Sequence, residues 1–325
     1  MHTAVKRLLA AAIGSMLTCG SGHALTAYVS NERDNTISVV DLDAGKAVKT
    51  IDVGRRPGRI TLTKDEKYLL VCASDDDKIQ IIDRATLQIV GDLPSGPDPE
   101  TFVLHQSGHP LYVSNENDNM VTVIDVPARK VIAQIPTGVD TKGLASGPDG
   151  ETIVNTSETT NMANCNAYAM GRVVANVLGD ARPRIARFKY DGSEVSVSSE
   201  LGATVSVIDA VKNMVKSKLS FDIQGLRAEA IQPVDIRFSK DDAAAFVPLG
   251  PANRVAVIDA KTLKVEKYLP VGQPVWRLAF TPDQKYLLTT NGLSNDISVI
   301  DVASLKVIRS IQVGRLPWSV VVAAQ

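Results

Sequence analysis

The sequence predicts an all-β fold, a seven-bladed β-propeller of four-stranded blades, from three observations: a hairpin-like unit that recurs about every 42 residues, four strand-like runs per period, and two chain ends each incomplete alone. The unit is plainest at Leu111–Asp125, where Tyr112–Ser114 is a β-rich run, Asn115–Asn119 a turn cluster, and Val121–Ile124 a second run closed by Asp125. Its echoes close on aspartates 41, 83, 209, 259 and 301. The spacings are 42 from 41 to 83 and from 83 to 125, twice 42 to 209, then 50, then 42 again. Seven units result, one degenerate and one carrying eight extra residues.

The second unit shows the four runs from the centre outward: Ile60–Thr63, Tyr68–Ala73, Ile79–Ile82 and Leu87–Leu93. A Gly, often with a Pro, leads into the next unit, as in Gly54-Arg55-Arg56-Pro57 and Gly314-Arg315-Leu316-Pro317. Glycine allows the sharp reversal and proline fixes the exit. A first strand over Ala27–Ser30 and a last, solitary strand over Trp318–Ala323 imply that the C-terminal strand completes the first blade, which leaves no open edge. The blades then span about 25–54 plus 315–325, 55–96, 97–138, 139–180, 181–230, 231–272 and 273–314. The fourth unit replaces its third strand with Met162-Ala163-Asn164-Cys165-Asn166-Ala167-Tyr168, which predicts a weak strand. The extra residues lie between Ile223 and Pro233 and include Arg227 and Glu229.

A hydrophobic content of 44% with only 5% aromatics suits many Val and Ile strands rather than a large aromatic pocket. Residues 1–24 read as a secretory signal peptide, with Lys6 and Arg7 before an apolar run at Leu8–Leu17 and small residues at Gly22 and Ala24. That makes the expected location periplasmic. No later run is long enough for a membrane-spanning helix. Without Lys6 and Arg7 the 35 basic residues become 33 against 36 acidic, so the charge balance offers nothing to nucleic acid. Cys72 and Cys165 fall in non-adjacent units and read as buried small hydrophobes.

Aligning the units sets the starts of the innermost strands round one mouth of the channel. There sit Glu100, Lys142, Arg184, Trp276 and Trp318, with Arg59, Asp235 and Arg277 one residue further on in their units. Glu32, Glu116, Glu158 and Glu200 end the second strands on the same face, and the insertion with Arg227 and Glu229 is expected beside the two tryptophans. A polar, aromatic-walled concavity of this kind suits a small polar or anionic ligand, although neighbouring Glu and Arg also form structural ion pairs. After the signal segment only His105 and His109 remain, both in a turn on the opposite face, which excludes a Ser-His-Asp triad and a histidine haem ligand at the mouth. No metal site and no tightly held cofactor are expected.

The Tyr-Val-Ser-Asn and Val-Ile-Asp repeats resemble the YVTN family of β-propellers over the whole chain after residue 24. Ser157–Met162, Asp180–Arg184, Glu229–Pro233, Leu249–Val255 and Thr289–Gly292 resemble one branch of it, associated with pyrroloquinoline quinone (PQQ)-dependent catabolism. The resemblance implies a periplasmic protein encoded with an alcohol-oxidation and transport system built round PQQ enzymes; with the signal segment and the mouth residues, it makes a non-catalytic binding or accessory protein the leading expectation, and a monomer is expected. Its expected partner is a quinoprotein dehydrogenase, a cytochrome or a transporter component of an alcohol-oxidation system. Two other readings stand beside it. One is a lactonase-like hydrolase, which needs a general base and an electrophile, with Glu100 or Glu229 beside Arg184 as the available set; the other is a surface or adhesion repeat protein without a mouth site.

Overall fold

The computed structural model describes residues 25–167 and 171–324, and it forms seven four-stranded antiparallel sheets arranged as a β-propeller, almost without helix. Residues 1–24, read above as a signal segment, and Tyr168 lie outside the described residues. The second blade sets the pattern, with Pro57–Leu62 at the channel, then Tyr68–Ala73, Lys78–Asp83 and the mostly exposed Gln88–Pro94. The core lies between blades: Leu69, Val71 and Ile82 of the second blade pack with Tyr28, Ile37 and Val39 of the first. Middle strands are thus covered on both faces, which is why they read as near-continuous apolar runs.

Each closing aspartate has a physical task. Asp41, Asp83, Asp125, Asp209, Asp259 and Asp301 each accept, through Oδ1, the backbone N–H three residues on, at 2.7–3.0 Å. The next residue in each turn, Gly45, Leu87, Arg129, Asn213, Leu263 and Leu305, has a positive φ of 50–67°. The aspartate holds a turn that side chains such as Leu would not choose unaided.

The serine of the repeat ties blade to blade. Ser30 Oγ donates to the Gly58 carbonyl at 2.7 Å, Ser114 Oγ to Lys142 O at 2.6 Å, Thr156 Oγ1 to Arg184 O at 2.9 Å and Thr290 Oγ1 to Trp318 O at 3.1 Å. Each joins a second strand to the innermost strand of the following blade. Strand approach is close enough at Gly143 that a Cβ there would lie 2.2 Å from the Arg184 oxygen. The asparagine that follows the serine bonds within its blade: Asn31 Nδ2 donates to Ser38 Oγ at 2.9 Å and Asn291 Nδ2 to Ser298 Oγ at 3.0 Å.

Two blades depart from the pattern. In the fourth, the segment expected to be weak is a full strand, Met162–Ala167, paired on both sides. Its missing apolar side chains are replaced by amides: Asn155 Nδ2 donates to Asn164 Oδ1 at 3.1 Å, Asn164 Nδ2 to Asn176 Oδ1 at 2.7 Å, and Asn166 Nδ2 to Asn155 Oδ1 at 2.9 Å. A buried amide ladder, satisfied except at Asn166 Oδ1, holds a strand that hydrophobicity alone would not. In the sixth blade the innermost strand is reduced to Arg237–Phe238. The insertion before it packs Phe221, Ile223 and Ile231 into that blade's core.

Pro317–Ala324 pairs with Leu25–Asn31, Ala27 opposite Val322 and Val29 opposite Val320, so the ring closes as the chain ends imply. Deleting the chain after Pro317 bares the inner edge of the first blade. The melting midpoint is expected to fall by at least about 10 °C, far more than for loss of a free tail. Calorimetry showing an unchanged midpoint would refute closure by this strand.

Candidate functional site

The channel has two ends. At the upper end, where the innermost strands begin, charged side chains form a belt of pairs. Arg56 pairs with Asp75 at 2.6 Å and also with Asp98; Lys142 pairs with Glu116 and lies 3.7 Å from Glu100. Arg184 meets Glu158 at 2.5 Å and Glu200 at 3.5 Å, and Arg182 meets the same two glutamates at 2.9 and 3.3 Å. Burial alone would raise the Glu100 carboxyl, but Lys142, then Arg184, Arg277 and Arg56, hold it below its ordinary value. Asp98, Glu100 and Glu116 each bring an oxygen within 4.8 Å of the others, yet Arg56 already pairs with Asp98, and Lys142 with Glu100 and Glu116. Lys142, Glu100 and Arg184 are therefore committed to each other's neighbours.

Between these pairs lies a cavity of about 260 Å³ lined by Glu32, Arg184, Val234, Trp276, Arg277 and the Leu316–Trp318 segment. Both tryptophans are here, as the strand alignment implies. Gly292 lets Trp276 lie against the backbone, since a Cβ there would come within 2.5 Å of its indole nitrogen. The Arg277 guanidinium sits 4.2 Å from the centre of the Trp318 ring and donates through Nη1 to the Val234 carbonyl at 3.1 Å. Burial depresses Arg277 to about 10, with Asp235 opposing and Arg184 adding, so it stays charged at neutral pH.

Glu32 is the residue that sequence reasoning passed over. It stood in the column of glutamates ending the second strands, but nothing marked it from Glu116, Glu158 and Glu200. In the structure those three are ion-paired, whereas the Glu32 side chain has no ion pair and no hydrogen bond among the described residues. Burial first, then repulsion from Glu100, raises its carboxyl above the ordinary value; Arg56 opposes and Asp75 adds. A half-buried carboxyl of this kind is suited to proton transfer.

Four other sequence-predicted residues sit elsewhere. Arg227 and Glu229 are exposed on the insertion, Glu229 in the 3-10 turn Ala228–Ala230, and neither lines the upper cavity. Glu229 is thus no base beside Arg184. Arg59 and Asp235 are not at the tryptophan cavity, although Arg277, at the same step of its unit, is. Arg59 lines the cavity at the lower end, and Asp235, fully buried, lies 3.7 Å from Arg187 and 3.6 Å from Arg237. His105, also at the lower end of its blade, has Nε2 2.8 Å from the Gly150 carbonyl oxygen.

The mouth pairs are testable as structure. Glu158→Gln leaves Arg182 and Arg184 facing a neutral amide, and the expected cost is about 3 kcal/mol of unfolding free energy. Urea titration checks it, and a loss below about 1 kcal/mol would mean that Glu200 alone balances both arginines.

The family description "Lactonase, 7-bladed beta-propeller" matches residues 21–135, and "Choice-of-anchor I domain" matches residues 120–285. No curated protein matches the sequence. Among solved structures, the chain is similar to Kuenenia stuttgartiensis hydrazine synthase, at 21% identity, with 86% of this chain and 92% of that one covered and a TM-score of 0.77. A functionally unknown protein from Desulfotomaculum acetoxidans gives 16%, 92%, 98% and 0.80 on the same measures. A putative 6-phosphogluconolactonase from Bacteroides uniformis gives 16%, 93%, 100% and 0.75. At these identities the likenesses show the propeller fold. Neither matching family is the PQQ-associated branch that the sequence stretches resemble. The expectation of a non-catalytic chain is corrected by the lactonase match, and the unpaired Glu32 is the chemical group that this expectation overlooked. The second description covers just over half of the 325 residues, and the chain belongs to the choice-of-anchor I domain family, in the form of a closed seven-bladed propeller.

Proposed function

We propose that the chain hydrolyses small lactones that carry a negative charge, at the upper mouth of the channel, with Glu32 as general base. The observation that carries this reading is the unpaired, raised carboxyl of Glu32 in one cavity with two guanidiniums and two indoles. The lactonase family match supports it. Trp276 and Trp318 form apolar walls for a flat ring, and Arg277, which has no carboxylate ion pair among the described residues, supplies positive charge for the substrate's anionic group and for the oxygen that gains charge. Water attacks the carbonyl carbon as Glu32 takes its proton. The ring C–O bond then breaks, and Glu32 returns the proton to the departing alkoxide, giving a hydroxy acid.

The resemblance to the PQQ-associated branch fits the same chemistry. Oxidation of a cyclic hemiacetal yields a lactone, so a periplasmic quinoprotein dehydrogenase would be the source of substrate and the partner, with a cytochrome or transporter component beside it. That part of the reading is supported by the sequence stretches alone.

A panel of δ-lactones bearing phosphate, carboxylate or no charge, followed by pH-stat, tests the proposal. The charged lactones are expected to turn over fastest. Because the base must be deprotonated, the rate should rise with pH through a Glu32 value above 4.5. Glu32→Gln should lower kcat by about 10²–10⁴ and remove that limb, with the melting midpoint held. Parental turnover in Glu32→Gln, or no hydrolysis of any lactone, would sink it.

A further inference from the structure

The lower end of the channel is built differently from the upper. It is ringed by the turns after the innermost strands, represented by Gln106, Pro148, Tyr190, Lys240 and Pro282 in five successive blades. Several are tied to the next: Gln106 Nε2 donates to the Pro148 carbonyl at 2.6 Å, and Lys240 Nζ to the Pro282 carbonyl at 2.8 Å. Inside this ring is a cavity of about 540 Å³, twice that of the upper cavity, and three guanidiniums from three blades line it: Arg59, Arg187 and Arg237.

Their charge is not balanced. Asp235 is the one carboxylate ion-paired to any of them among the described residues, held loosely at 3.7 Å from Arg187 and 3.6 Å from Arg237. Both Asp235 oxygens also accept backbone N–H groups, of Ile236 at 2.8 Å and Leu278 at 3.2 Å, so the carboxylate is partly spent on the backbone. Lys189, also at this opening, is paired with Glu194 and adds no free charge. Among the described residues, Arg59 has neither ion pair nor hydrogen bond through its side chain, and its buried Nε is an unsatisfied donor. Three positive charges against one leave an excess of two. Burial and mutual repulsion push Arg59 well down and Arg187 to about 10, with Asp235 opposing in both. A guanidinium does not give up its proton near neutral pH. The repulsion is therefore stored as positive potential in the cavity, where low dielectric amplifies it.

From this arrangement we infer that the lower cavity is a binding site for a small molecule carrying a doubly charged oxyanion group, a phosphate monoester or a pair of carboxylates. Arg59 is the residue kept free for it, and Arg187 and Arg237 flank the anion from neighbouring blades. Planar donors from several directions match the oxygens of such a group, and the cavity has room for a sugar-sized remainder. The site is separate from the upper mouth and does not rest on hydrolysis there.

The test is thermal melting of the full chain at fixed ionic strength, in chloride against about 10 mM inorganic phosphate, glucose 6-phosphate or citrate. At least one of the three is expected to raise the midpoint by about 3–5 °C relative to chloride. A larger response to the sugar phosphate assigns a phosphate ester, and a larger one to citrate assigns a polycarboxylate. In Arg59→Leu the chloride midpoint should equal or exceed the parent's, because repulsion is relieved without loss of any bond, and the anion response should shrink to under about 1 °C. Arg187→Leu, which does lose a carbonyl contact, should also lose the response. Glu32→Gln should keep it, which separates this site from the hydrolysis reading. The inference is overturned if no anion stabilises the parent beyond chloride, or if Arg59→Leu responds as the parent does.

Discussion

The hydroxyl that ends four of the seven second strands and bonds to the next blade's innermost strand is the interaction on which this ring depends. Sheets packed only through Val and Ile could slide along one another, because apolar contact has little direction. A buried hydroxyl on a backbone oxygen has a fixed reach, and breaking it leaves both groups dry at a cost of about 1–3 kcal/mol. Repeated from Ser30, Ser114, Thr156 and Thr290, the bond sets the height of each blade against its neighbour. The mouth residues inherit their level from it, since Lys142, Arg184 and Trp318 are the residues whose carbonyls are held.

The same bond explains where the unusual charges lie. In the fifth blade Ser198 turns to its own blade, 3.4 Å from the Ile185 carbonyl, and the sixth blade has Pro248 at the corresponding place, with no hydroxyl to give. There the innermost strand shrinks to two residues, and Asp235 reaches across to the Leu278 N–H instead. Arg277 on Val234 and Arg237 on Leu278 complete the joint, the latter at 2.8 Å. Charged groups therefore enter the channel wall where the repeat's neutral tie is missing, and the two cavities fall on either side of that joint.

Much of this fold is legible in the sequence because its signals are local and repeated. A turn aspartate every 42 residues needs only its own turn to make sense, and the mismatch between a chain that starts on a second strand and ends on a first announces closure. The site is less legible. Whether a glutamate in the mouth is paired depends on a cation one blade away, so Glu32 and Glu158 look alike in sequence and differ entirely in surroundings. Arg59 and Asp235 share a column with Arg277, yet only Arg277 lines the upper cavity, so a column alone does not fix which end a side chain reaches. The amide ladder of the fourth blade was missed because apolar patterning does not score Asn155, Asn164 and Asn166 as partners.

The pairing of the first strand with the last has a consequence for synthesis. Leu25–Asn31 is made roughly 300 residues before its inner neighbour, Pro317–Ala324. Until that strand is made the nascent first blade carries a bare row of backbone donors and acceptors, and every product terminated before it keeps that row. Such an edge recruits other strands, so incomplete chains are predisposed to stick to one another while the finished ring is not. The eight-residue strand Pro317–Ala324 acts as a built-in check that all seven blades have been made.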